Sequence, residues 1–88
     1  MKAMKYKGKK NLIHLQLQLM RVRRDLTQTE LAARMQVLGV SIDQQSISAI
    51  ENNGRIVTDY ELACFCKALQ CTERDLLQDF YESLENDR

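Results

Sequence analysis

Apolar residues recur three and four positions apart along most of the chain, the spacing that lines one face of a helix. One stretch departs from this: "HLQLQL", residues 14–19, alternates apolar and polar with the period of a strand. Its extension decides for a helix, because Ile13, Leu17 and Met20 keep helical spacing and no other strand pattern offers a partner. The first helix is predicted over about 12–24, with Asn11 as a possible cap. It carries a second stripe, Leu12, Leu15, Leu19 and Val22. That stripe fits burial under the last helix and a dimer contact equally well.

The other helices are marked by their starts. Thr27 precedes Glu30 by three positions, Thr58 precedes Glu61, and Thr72 precedes Asp75. In each pair the threonine oxygen can accept from a free backbone N–H while the acid reaches back to the N–H of the threonine. Aspartate is the shorter arm, so the third pair is the weakest of them. Helices follow over about 28–38, 44–53, 59–69 and 73–84. Gly39 stops the second and "NNG" (52–54) the third, since glycine and asparagine tolerate positive φ. The core faces are Leu31, Met35 and Leu38; Ile47 and Ile50; Leu62, Phe65, Cys66 and Leu69; and Leu76, Leu77, Phe80, Tyr81 and Leu84.

The chain has 88 residues, enough for one modest core, and no proline. The predicted fold class is all-α, a compact five-helix domain over 12–84. It is preceded by a basic tail, 1–11, with five lysines and little to bury, expected to be disordered. An acidic end, 85–88, follows. No apolar run is long enough to span a membrane and no signal peptide is recognisable, so a cytoplasmic location is expected.

A formal charge of +1 conceals two opposite halves: residues 1–34 carry nine Lys/Arg against two Asp/Glu, and residues 35–88 four against ten. The basic half suits a polyanion; the acidic half suits solubility or a basic partner. Cys64, Cys66 and Cys71 match no common zinc spacing and His14 is the only histidine. They are read as small apolar thiols, with no metal and no cofactor expected. An enzyme is not expected either: His14 has no nucleophile or paired acid at a recognisable spacing, and no phosphate-binding glycine loop is present.

The third helix has the most informative face. With Ile47 and Ile50 turned inward, Gln44, Gln45, Ser48, Ala49 and Asn52 lie outside, small or amide-bearing and uncharged, where Lys and Glu usually prevail. A glutamine amide offers a donor beside an acceptor, matching the N7 and N6 edge of adenine, and alanine can contact a thymine methyl. An ordinary polar surface is the alternative reading of the same face.

"LTQTELAARM", "SISAIENNGR" and "TDYELACFCKALQCTERDLL" together resemble the Cro and phage-repressor type of helix-turn-helix, the xenobiotic-response-element family of bacterial regulators. The resemblance covers about 12–78, and "QQS" is similar to the start of the recognition helix in certain lambdoid repressors. It implies a lambda-repressor-like DNA-binding domain. By that resemblance Gln44, Gln45, Ser48 and Ala49 take base-reading positions, and Thr27, Gln28, Ser46, Asn52 and Arg55 take phosphate or backbone positions. Gln28 matches a glutamine that also braces the first reading glutamine. Arg21 and Glu51 match a structural ion pair tying the first helix to the third.

Three departures stand out. Ala49 replaces another reading side chain, so the target sequence does not carry over. Asp43 replaces the usual hydroxyl cap, while Ser41 with Gln44 forms a competing capping box two residues earlier; Asp43 is the favoured start, because it lies four before Ile47 as the resemblance implies. Leu31 and Ile47 are sixteen positions apart, more than the compact family pattern. The reading is a lengthened connection between the second and third helices, with Val40 or Ile42 plugged into the core, a small entropic cost for a surface loop.

The expected function is sequence-specific binding of double-stranded DNA by a homodimeric transcriptional repressor of bacterial, phage or mobile-element origin. The alternative is a helical protein-interaction module, such as an antitoxin, whose acidic C-terminal helix engages a partner protein.

Overall fold

The computed structural model describes residues 6–86. Six helices follow in order: α1 (His14–Arg23), α2 (Gln28–Val37), α3 (Gln44–Glu51), α4 (Asp59–Leu69), α5 (Glu73–Leu76) and α6 (Gln78–Asn86). The first four lie where the periodicity places them. The expected fifth helix is two: α5 closes at Leu77, whose N–H still reaches Glu73 O, and α6 starts afresh with Tyr81 N–H on Leu77 O.

All three threonine capping boxes form in both directions. At the third, Thr72 N donates to Asp75 Oδ2 at 2.9 Å and Asp75 N to Thr72 Oγ1 at 3.0 Å. The shorter acid closes its box as tightly as Glu30 does with Thr27, at 2.9 and 3.0 Å. Each such cap contributes about 1 kcal/mol.

The ends of α2 and α3 share one device. Gly39, at φ +89°, turns the chain after α2 so that Val40 N reaches Met35 O and Gly39 N reaches Gln36 O. Asn53, at φ +59°, does the same after α3, with Gly54 N on Ala49 O and Asn53 N on Ile50 O. This paired bonding satisfies carbonyls that a helix end leaves free. In "NNG" it is Asn53, not the glycine, that takes the left-handed residue.

The core is a single cluster in which Leu17, Leu31, Met35, Ile47, Ile50, Phe65, Leu69 and Leu76 are fully buried. Both Val40 and Ile42 enter it, and Gln36 Nε2 donates to Ile42 O at 3.1 Å. The lengthened connection is thus pinned at two side chains and one backbone carbonyl.

Several expectations need correction. Asn11 does not cap α1: Ile13 is the cap residue, without a side-chain bond. Asn11 is instead buried, donating through Nδ2 to Ile50 O (3.0 Å) and Arg55 O (2.9 Å) while Oδ1 accepts from Ile13 N. Consequently residues 6–11 do not behave as the expected disordered tail. Tyr6 and Lys9 exchange backbone bonds across a tight turn, Lys10 N donates to Asn53 Oδ1 at 2.8 Å, and Asn53 Nδ2 donates to Gly8 O. The physical reason is that the end of α3 and its following loop leave carbonyls that an asparagine amide can satisfy. The rest of that predicted tail, residues 1–5, lies outside the described residues, as do 87–88 of the expected acidic end.

Last, α6 buries no residue, and it runs past the expected boundary at 84. Tyr81 and Leu84, expected in the core, are exposed, and Leu38 at the end of α2 is exposed too. Leu15, Leu19 and Val22 of α1 are exposed as well, so α6 does not cover the second stripe. Gln16 Nε2 donates to Asp79 Oδ1 at 3.1 Å, which sets α6 beside α1.

Candidate nucleic-acid interface

The competing starts for α3 resolve in favour of Asp43. Its backbone is extended, its Oδ1 accepts from Ser46 N at 2.8 Å, and α3 begins at the next residue. That backbone hydrogen bond holds the Asp43 carboxyl below the ordinary aspartate range, so the cap is ionised at neutral pH.

From this start the helical repeat sends Ile47, Ile50 and Glu51 inward. Gln44, Gln45 and Asn52 are exposed, with Ser48 and Ala49 half-buried between them. Asn52 Nδ2 leans on Ser48 Oγ at 3.4 Å, and Ala49 gives its carbonyl to Gly54 N. The result is a ridge with two amides at its N-terminal end and short side chains behind them. Ser46 is half-buried at the cap, and its N–H is taken by Asp43.

A hydrogen-bonded chain runs from the interior to the tip of this ridge. Arg21 of α1 grips Glu51 through Nε on Oε2 (2.7 Å) and Nη2 on Oε1 (3.0 Å), and its Nη1 donates to Leu26 O. Gln28, the first residue of α2, donates through Nε2 to Glu51 Oε1 at 3.0 Å. Gln44 then donates through Nε2 to Gln28 Oε1 at 2.7 Å. The side chain of Glu51 is only 3% exposed, and this fork is what makes a buried carboxylate tolerable. The hydrogen bond to Glu51 raises the Arg21 guanidinium further above its ordinary value.

The structure therefore brings Arg21, Gln28, Gln44 and Glu51 into one network, with Thr27 beside it as the α2 cap. Arg55 lies in the loop after α3, as expected, and is paired there. Its Nη1 and Nη2 donate to Glu61 Oε1 and Oε2 at 3.0 and 2.7 Å, and Nη1 also reaches Ile56 O. Its charge is matched by a nearly buried carboxylate rather than turned freely outward. One cation from the N-terminal turn is held beside this loop: Lys10 Nζ lies 3.4 Å from Gly54 O.

The sequence marks Asn53 in the "NNG" stop and Glu61 in the Thr58 capping box, but gives no sign of their second roles at this end of the site, nor that Asn11 joins the loop after α3 instead of capping α1. The partners of Asn11 and Asn53 are fixed by packing across the fold, while Glu61 pairs with Arg55 six residues away, a spacing that no helical or capping pattern marks.

No helix among the described residues is long and apolar enough to cross a membrane. Comparison with curated proteins and with solved structures returns no match. The helix-turn-helix family model of Cro and phage-repressor type matches residues 17–76, from the middle of α1 to the end of α5. With α2 and α3 set as a capped pair and a neutral, amide-tipped face on α3, the chain belongs to this family of DNA-binding helix-turn-helix regulators.

Proposed function

We propose that this protein is a transcriptional repressor that lays α3 in the major groove of an operator and reads bases with Gln44, Gln45, Ser48 and Ala49. The observation that carries the reading is the amide pair at the tip of α3, one member of which is clamped by Gln28. A side chain held in place before binding loses less conformational freedom on contact, which favours selective hydrogen bonding. Short neighbours let the helix approach closely enough for those amides to reach base edges.

Phosphate contacts fall to the start of α2, where Thr27 keeps its hydroxyl hydrogen and Gln28 a second N–H, with Ser46 and Asn52 at the groove edge. Arg55 acts mainly by shaping the loop. Lys10, whose ammonium lies on that loop beside Gly54 O, supplies its positive charge. The protein acts in the cytoplasm as a homodimer, the usual arrangement for a helix that reads only a few base pairs. The exposed Leu15, Leu19 and Val22 of α1 with Tyr81 and Leu84 of α6 are the apolar surface proposed for that contact.

Selection of bound duplexes from a random pool is the test. A recurring sequence is expected, and Gln44→Ala or Gln45→Ala should each lose about 1–3 kcal/mol on it with little change on random DNA. Equal losses on both duplexes would overturn base reading. A pool with no enrichment would favour a protein-interaction module acting through the exposed face of α6.

A further inference from the structure

The Arg21–Glu51 pair sits too close to the reading tip to be a tie between helices alone. We propose that Glu51 is a positioning residue that sets the polarity of the Gln44 amide, and so decides which base edge Gln44 accepts. This rests on the base-reading function above.

An ionised carboxylate only accepts hydrogen bonds. With Arg21 holding both of its oxygens, Glu51 admits Gln28 only through the NH2 group of that amide. The carbonyl of Gln28 is thereby turned toward Gln44, and a carbonyl also only accepts. Gln44 must then meet it with NH2, as it does at 2.7 Å. The orientation of each amide follows from the one before it, and the source is a buried carboxylate that cannot reverse.

The consequence lies at the outer edge of Gln44. One N–H is spent on Gln28, which leaves Oε1 and the other N–H side by side in a fixed order. In a docked helix that order can face the N6–H and N7 of adenine. A reversed amide would set acceptor against N7 and donor against N6–H, like against like. Without the carboxylate both orders are open to Gln44 and the discrimination falls.

The experiment is duplex selection and competition binding with the full chain carrying Glu51→Gln. An amide at 51 can donate as well as accept, so the relay can run either way. The base pair read by Gln44 is identified as the one at which Gln44→Ala loses discrimination. At that pair Glu51→Gln should lower the preference for adenine about tenfold, while preferences at the other positions stay within twofold. Unchanged preference at that pair, or an equal loss at every position, overturns the proposal. Should Glu51→Gln fail to fold, Gln28→Met removes the middle of the relay at a half-exposed position; the same local relaxation is expected, and full retention of the preference overturns the proposal. If the wild-type chain enriches no sequence, base reading itself fails, an outcome distinct from a wild-type preference that Glu51→Gln leaves intact.

Discussion

Glu61 accepts both terminal nitrogens of Arg55, at 3.0 and 2.7 Å, while its Oε1 also accepts from Thr58 N at 3.0 Å. One carboxylate therefore closes the capping box of α4 and anchors the loop that follows α3. Its side chain is 6% exposed against 31% for Arg55, so the acid is the member that depends on the pair.

Replacing Arg55 by alanine leaves Glu61 nearly buried without its cation. Loss of one partner of such a pair costs about 3–5 kcal/mol in buried cases, and the partial exposure of Arg55 places this variant near or below the lower figure. Urea denaturation would measure it. A loss of stability larger than the loss of affinity per folded molecule is expected; a wild-type midpoint with weakened DNA binding would instead mark Arg55 as a phosphate contact.

Acid should act through the same residue. The hydrogen bonds from Arg55 lower the Glu61 carboxyl below its ordinary value in the folded state, against the desolvation of burial. A depressed folded-state value means that the unfolded chain binds the proton more readily. The contribution is complete above the ordinary glutamate range and is lost as pH falls through the lowered value. Thermal melts from pH 7 downward should show a decline that is shallower in Glu61→Gln.

Gln70 ends α4 at φ +54° and ψ +51°, a left-handed conformation that costs a side chain about 1 kcal/mol. Its carbonyl accepts from Arg24 Nη2 and its side chain is exposed, so a substitution there keeps the backbone contacts. Gln70→Gly should stabilise the protein by about 0.5 kcal/mol after the added freedom of the unfolded chain is counted. A lower melting temperature would show that the Gln70 side chain makes up for its strained backbone.

Ile42 plugs the lengthened connection at 3% exposure. Ile42→Ala should cost about 2–5 kcal/mol through the cavity it opens. Affinity should drop further at a temperature where the domain remains folded, because the cap Asp43 is the next residue and the start of α3 loses its anchor. Affinity equal to wild type under those conditions would show that the cap alone holds α3.

The exposed apolar stripe is tested by Leu19→Glu. Leu19 is 48% exposed, so the monomer should keep its stability while association measured by sedimentation weakens by tenfold or more. Unchanged association would move the dimer contact elsewhere.

Much of this protein is determined locally, and that part was readable in its residues. Threonine with an acid three positions on, glycine after Leu38 and apolar residues at helical spacing each act within one or two turns. Accordingly α1 to α4 and the threonine caps of α2, α4 and α5 lie where pattern places them, and the α3 face of Gln44, Gln45, Ser48, Ala49 and Asn52 follows from the inward turn of Ile47 and Ile50. The cap of α3 was ambiguous because Ser41 and Asp43 both satisfy the local rule. Its place four before Ile47 favours Asp43, and the burial of Val40 and Ile42 on either side of Ser41 agrees with Asp43 at the turn. The capture of Asn11 by the carbonyls of Ile50 and Arg55 depends on partners far away in the chain, and the exposure of Tyr81 and Leu84 shows that nothing covers the outer face of α6. Periodicity states that a face is apolar; it does not state what covers it. That depends on how the helices pack against one another, and only the tertiary structure decided it.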